Sequence, residues 1–184
     1  MTYRGVLSHT PPMSTSAVLA ELSALERILE LGADHLDVRV VCEVAADPAD
    51  PASPKLPVHA ITLGNASPHV PAAGFFGGVH GLERIGAEVV IAYLQSLVTR
   101  MRWDSTLHRQ LESVRLVFMP LVNPGGMLRG TRANPAGVDL NRNAPVDADD
   151  RVPWLVGGQR VSPNLPWYRG AAGNPMQPEA QALC

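Results

Sequence analysis

Residues 114 to 122, VRLVFMPLV, form a nearly continuous apolar run. A half-solvated strand alternates apolar and polar residues, whereas an unbroken run suits a strand covered on both faces. A strand of that kind has to lie inside a sheet with a layer packed on each side, and helices are the usual cover. This run is of the kind buried on both faces of a parallel sheet. It also sets the frame into which the rest of the chain must fit.

The flanking segments supply the other pieces. MSTSAVLAELSALERILELG (13–32) reads as a helix capped by Ser14 or Ser16, with Val18, Leu22, Leu25, Ile28 and Leu29 on one face and Gly32 as a stop. DVRVVCEV (37–44) and PVHAITLG (57–64) read as strands on either side of a proline-rich loop, and PAAGFFGGV (71–79) leads into a third. A helical pattern from Glu83 to Met101 places Ile85, Val89, Ala92, Leu97 and Val98 near one side, and Asp104 is positioned to cap a shorter helix. Strand, helix, strand in that order predicts an α/β domain with crossover connections. From Asn123 to Pro178 the composition turns to Gly, Pro, Asn, Asp and Arg with little periodicity, as in a functional loop region. PEAQAL (178–183) then reads as the first turns of another helix, so the 184 residues are expected to form one incomplete domain.

Composition removes several function classes. Net charge is −2 without a basic block, so no nucleic-acid partner is expected. No apolar stretch reaches the roughly 20 residues of a membrane span, and no secretory signal is visible behind Arg4. The two cysteines, Cys42 and Cys184, form neither a disulfide framework nor a thiolate zinc cluster. A cytoplasmic location is the default expectation, and oligomeric state is not legible.

Two segments carry chemistry. In FFGGVHGLERIGAEVV (75–90), a histidine and a glutamate three residues later sit where a strand gives way to a helix. Ligands in open α/β sheets bind at such carboxyl ends. Imidazole and carboxylate are both zinc ligands. Taken alone, such a pair is more often a hydrogen-bonded turn histidine and a glutamate at a helix N-terminus than half of a metal site. The second segment, NPGGMLRGTRANPAGVDLNRN (123–143), follows directly on the buried strand and concentrates Arg129, Arg132, Asn141, Arg142 and Asn143. Arginines and amides beside a metal pair point to an anionic substrate group, because a guanidinium binds a carboxylate bidentately and stabilises an oxyanion.

Together, GGVHGLE, NPGGM and RGTRANPAGVDLNRN resemble the zinc metallocarboxypeptidases of the carboxypeptidase A type, in order and in spacing, from about Ala60 to Leu183. The resemblance implies an α/β fold with a mixed, largely parallel sheet flanked by helices. It implies Zn2+ as cofactor, with His80 and Glu83 as metal ligands and Asp139 orienting the imidazole of His80. It implies that Asn141 and Arg142 hold a substrate carboxylate and that Arg132, or alternatively Arg129, stabilises the oxyanion. The substrate would be a peptide with a free C-terminus, a cell-wall peptide included.

Gly125 stands where the family has aspartate. The family's third zinc-ligating histidine, a substrate-contacting tyrosine and the general-base glutamate follow the PEAQAL helix and have no counterpart here. His9, His35, His59, His69 and His108 lie on segments not expected near the site. Two other readings therefore stand beside the first. One is an acylamino-acid amidohydrolase of the desuccinylase or aspartoacylase type. The other is an inactive remnant that keeps a carboxylate pocket. Trp103, Trp154 and Trp167 read as packing residues, and the acidic run DADDR (147–151) as a solvated loop.

Overall fold

A computed structural model describes residues 15–145, 162, 164, 167–171, 173 and 175–184. It contains α1 (Thr15–Leu31), β1 (Leu36–Ala45), β2 (Lys55–Gly64), β3 (Ala72–Phe76), α2 (Arg84–Met101), α3 (Ser105–Leu111), β4 (Arg115–Met119), α4 (Pro124–Arg129) and α5 (Pro178–Leu183), with a 3-10 turn at Leu140–Arg142. The four strands lie in the order β1-β2-β4-β3. The sheet is mixed, as expected, but less parallel than expected: among the described residues only β3 and β4 pair in parallel, while β1–β2 and β2–β4 are antiparallel. Connection length explains this. The loop 46–54 is short enough only for a hairpin, whereas α2 and α3 give the chain the crossover that a parallel return requires.

β4 alternates across the sheet. Phe118 enters a core with Leu25, Ile61, Leu94 and Met127, under α1, α2 and α4. Met119 turns to the opposite face and packs with Val58, Val122, Leu140 and Ala180 of α5. The apolar run is thus covered on both faces where it matters, although its first residues, Arg115 to Val117, are only partly buried. On α1, Leu22, Leu25 and Ile28 face the core as expected. α2 buries Leu97 and Val98 as expected but departs from the expected face before them. Its buried stripe is Ala87, Val90, Ile91, Leu94, Leu97, Val98 and Met101, while Ile85 and Val89 lie in solvent. The observed set keeps the i, i+3, i+4 spacing of one helix face along its whole length, which the expected set did not. Asp104 caps α3, accepting from the backbone N–H groups of Thr106 and Leu107. No helix among the described residues is long and apolar enough to cross a membrane.

Candidate metal and carboxylate site

The backbone segments that leave β3 and β4 run side by side. Gly77 N–H donates to the Met119 carbonyl, Val122 N–H to Gly77 and Asn123 N–H to Gly78, each at 2.9–3.0 Å. The two predicted motifs therefore emerge together at one end of the parallel pair. Asn123 is fully buried. Its side-chain amide donates to the Val79 carbonyl, and its Oδ1 accepts from Gly126 N–H at 2.7 Å, which caps α4. α4 itself lies in a stretch expected to be loop, since its two glycines hide the helical pattern while Asn-Pro marks its start. The approach of the two motifs is tight at Gly81, where a Cβ would stand 2.0 Å from the Gly126 carbonyl carbon. At Gly125 a Cβ would meet Cγ of Pro135 at 2.4 Å. Glycine in place of the family's aspartate is thus matched by a proline packed against it.

His80 and Glu83 close a turn, with the Glu83 N–H donating to the His80 carbonyl at 3.0 Å. Glu83 immediately precedes α2 instead of lying in its first turn. The turn brings His80 Nδ1 and Glu83 Oε1 to 3.0 Å, while His80 Nε2 faces Asp139 Oδ1 at 3.3 Å. His80 and Asp139 are buried, and the Glu83 side chain is half-exposed. Arg84 anchors this corner from behind by gripping Glu21 of α1 through two nitrogens.

Asp139 is the hub. Its Oδ1 also accepts from Asn141 N–H at 3.2 Å, and its Oδ2 accepts from Arg132 Nε at 2.8 Å. Arg132 reaches Glu83 Oε1 at 3.6 Å, and Arg142 Nε lies 3.8 Å from Asp139 Oδ2. The Arg142 Nε is buried without a hydrogen-bond partner among the described residues. Trp167 lies with its ring centroid 5.8 Å from the Arg142 guanidinium, at a φ of 63° that only a tightly held non-glycine residue adopts. Expected to be a packing residue, Trp167 sits at the site instead; no signal in the sequence distinguished it. Trp103 is exposed, and Trp154 and DADDR lie outside the described residues.

The residues that the resemblance assigned to the site thus come together with one exception. His80, Glu83, Arg132, Asp139, Asn141 and Arg142 share one corner. Arg129 turns away to the β1–β2 loop, where it donates to the Ala46 carbonyl and to Asp47.

A neutral imidazole has one N–H and one bare lone pair. Carboxylate oxygens face both nitrogens of His80; an imidazolium with two N–H groups satisfies both, whereas a neutral ring leaves one pair that a bound cation would bridge. Imidazole nitrogen and carboxylate oxygen are a donor set that zinc accepts, and a carboxylate behind the far nitrogen is the usual support of a metal-bound histidine. Among the described residues, no group of three or more His, Cys, Asp or Glu side chains is placed to hold a metal ion. The third protein donor that catalytic zinc sites use is not supplied by them. His35 and His108 stack edge-on against each other, and His59 lies within β2.

A family model described as zinc carboxypeptidase matches residues 53–184. Over 75 residues, the chain is 35% identical to carboxypeptidase SOL1 of Arabidopsis thaliana, covering 41% of this chain and 15% of that protein. Over 93 residues it is 30% identical to carboxypeptidase D of Drosophila melanogaster, covering 46% of this chain and 7% of that protein. Its fold is similar to a metallo-carboxypeptidase from Burkholderia cenocepacia, with a TM-score of 0.55 and 19% identity, over 94% of this chain and 37% of that one. Thrombin activatable fibrinolysis inhibitor is also similar in fold, with a TM-score of 0.63 and 18% identity, over 94% of this chain and 42% of that one. The chain therefore spans well under two thirds of the proteins it matches.

Proposed function

The chain belongs to the zinc carboxypeptidase family, and we propose that it is a zinc-dependent hydrolase directed at an amide bond next to a free carboxylate. A peptide with a free C-terminus is the substrate class, cell-wall peptides among them. The observation that carries this reading is the convergence of His80 Nδ1 and Glu83 Oε1 on one point, with Asp139 behind the imidazole and two arginines alongside.

His80 and Glu83 would hold the metal. Zinc bound there would polarise an amide carbonyl and make a bound water more acidic. The protein's own residues do the rest. Asp139 fixes the imidazole ring so that Nδ1 points toward Glu83 and away from the core. Arg142 offers a partly exposed guanidinium whose Nε lies 3.8 Å from Asp139, and a guanidinium is suited to a carboxylate. Asn141 stands next to it on the 3-10 turn and adds an amide. Arg132 holds fixed positive charge between Asp139 and Glu83, where it can meet negative charge developing on a carbonyl oxygen.

The test is to incubate the zinc-supplemented chain with one peptide in two forms, free-acid and C-terminally amidated, and follow both by mass spectrometry. Release of the last residue from the free acid alone, abolished by Arg142→Ala, is the expected result. Binding of the free acid without cleavage would identify a carboxylate-binding module, a reading favoured by the absence of a third donor among the described residues. Equal cleavage of both forms, or preference for acylated amino acids, would overturn the carboxypeptidase assignment.

A further inference from the structure

We propose that Gln177 and Glu179, at the start of α5, are positioning residues for this site: they clasp both ends of the segment 134–143 and so set where Asp139, Asn141 and Arg142 stand. The functional part of this inference rests on the reading of that corner as a metal and carboxylate site.

The clasp is built from short polar contacts. At one end, Asn134 is buried and its side chain is used completely. Its Oδ1 accepts from the backbone N–H groups of Ala136 and Val138 at 3.1 and 3.0 Å, forming the turn that delivers Asp139. Its Nδ2 donates to Gln177 Oε1 at 2.9 Å and to Glu179 Oε1 at 3.2 Å. At the other end, Gln177 N–H donates to Asn143 Oδ1 at 2.6 Å, directly after Arg142. The amide of Asn143 in turn donates to the Arg169 carbonyl, and Tyr168 next to it accepts from Asp139 N–H at 2.8 Å. One short stretch of α5 therefore fixes where the segment enters and where it leaves.

Glu179 is a costly residue in this place. It is 1% exposed, and its Oε2 has no hydrogen-bond partner among the described residues. Burying a carboxyl with one oxygen unsatisfied opposes folding, and an apolar side chain of similar size would fill the space at lower cost. The local gain that the structure shows in return is the bond to Asn134. The glutamate therefore serves order in the segment more than packing of the core, and rigid support of this kind is what a binding site requires of the residues behind it.

The experiment is amide hydrogen exchange by NMR on the whole chain, in wild type, Glu179→Leu, Glu179→Gln and Gln177→Ala, followed by zinc titration of each. Val138, Asp139 and Asn141 are the reporters, because their N–H groups make the bonds described; Phe118 in β4 is the control. In Glu179→Leu, exchange at the three reporters is expected to rise about tenfold relative to Phe118, with zinc affinity falling about tenfold as for other outer-shell changes. Glu179→Gln keeps an acceptor for Asn134 and is expected to restore both. Unchanged reporters in a folded Glu179→Leu would overturn the clasp, as would a Gln variant no better than Leu. Should Glu179→Leu fail to fold, Gln177→Ala decides. It removes one acceptor from Asn134 and leaves the bond to Asn143, so faster exchange at Val138 supports the clasp and unchanged exchange refutes it. Loosened reporters with unaltered zinc affinity would show a structural clasp with no positioning role. If wild type itself bound no zinc, the metal reading would fail while the exchange data still judged the clasp.

Discussion

Asp139 receives three groups, the imidazole of His80 from a distant stretch of chain and the guanidinium of Arg132 and backbone N–H of Asn141 from its own segment. A buried carboxylate is tolerable only with such company. Asp139→Ala should lower zinc affinity by about 10- to 100-fold, measured by competition with a chelator, because the ring of His80 loses the group that orients it. Unchanged affinity would show that the imidazole is held by packing alone. The two arginines that the sequence left as alternatives have different neighbours, and their removal should differ accordingly. Arg129→Ala gives up a carbonyl contact and an exposed ion pair with Asp47, worth about 1 kcal/mol or less of stability, with no effect on ligands. Arg132→Ala removes positive charge aimed at the developing oxyanion and should slow cleavage of a free-acid peptide at least about tenfold (roughly 1.4 kcal/mol), with its binding little changed. Cleavage rates of both variants separate them, and equal effects would contradict the assignment.

The elements that carry motifs were legible because their residue types follow local rules. Asp104 before a helix and Pro178 at the first turn of α5 are caps that need no tertiary information. The buried face of α2 was less legible. Ile85 and Val89 are as apolar as the residues that pack, and only the placement of the sheet decides which stripe is covered. The role of Glu179 was illegible for the same reason, since an acid in a first turn reads as a dipole partner until the packing of α5 on β1 and β2 is known. Burial raises the pKa of Glu179 above the usual 4.5, so the folded chain binds this proton more tightly than the unfolded chain. Its contribution to stability is full below about pH 4.5 and is lost as pH rises through the folded value. Denaturant midpoints against pH should therefore fall more steeply for wild type than for Glu179→Gln above about pH 4.5, and parallel curves would contradict the burial. Gly81→Ala should destabilise the fold by about 1–3 kcal/mol or more, because its Cβ has nowhere to go but into the backbone of α4.

Across the whole molecule, the α/β layering followed from one apolar run, whereas the strand order did not. Hydrophobic pattern tells a strand which faces are covered but not which neighbours it has. β3 is one of the two sheet edges among the described residues and ends in Phe76, which is 48% exposed, and α2 presents Ile85, Val89 and Tyr93 to solvent. An open strand edge and exposed apolar side chains favour association. The isolated chain is expected to self-associate with rising concentration in sedimentation experiments, and Ile85→Lys with Val89→Lys should shift it toward monomer. Concentration-independent monomer in the wild type would contradict this. The site depends on all these scales together, because two strand ends, one helix clasp and six side chains must meet at one corner. Zinc titration of the chain beside His80→Ala and Glu83→Ala tests that meeting most directly. One equivalent of zinc bound by the wild type and lost in both variants is the expected outcome, and zinc binding that survives both substitutions, or none in the wild type, would contradict it.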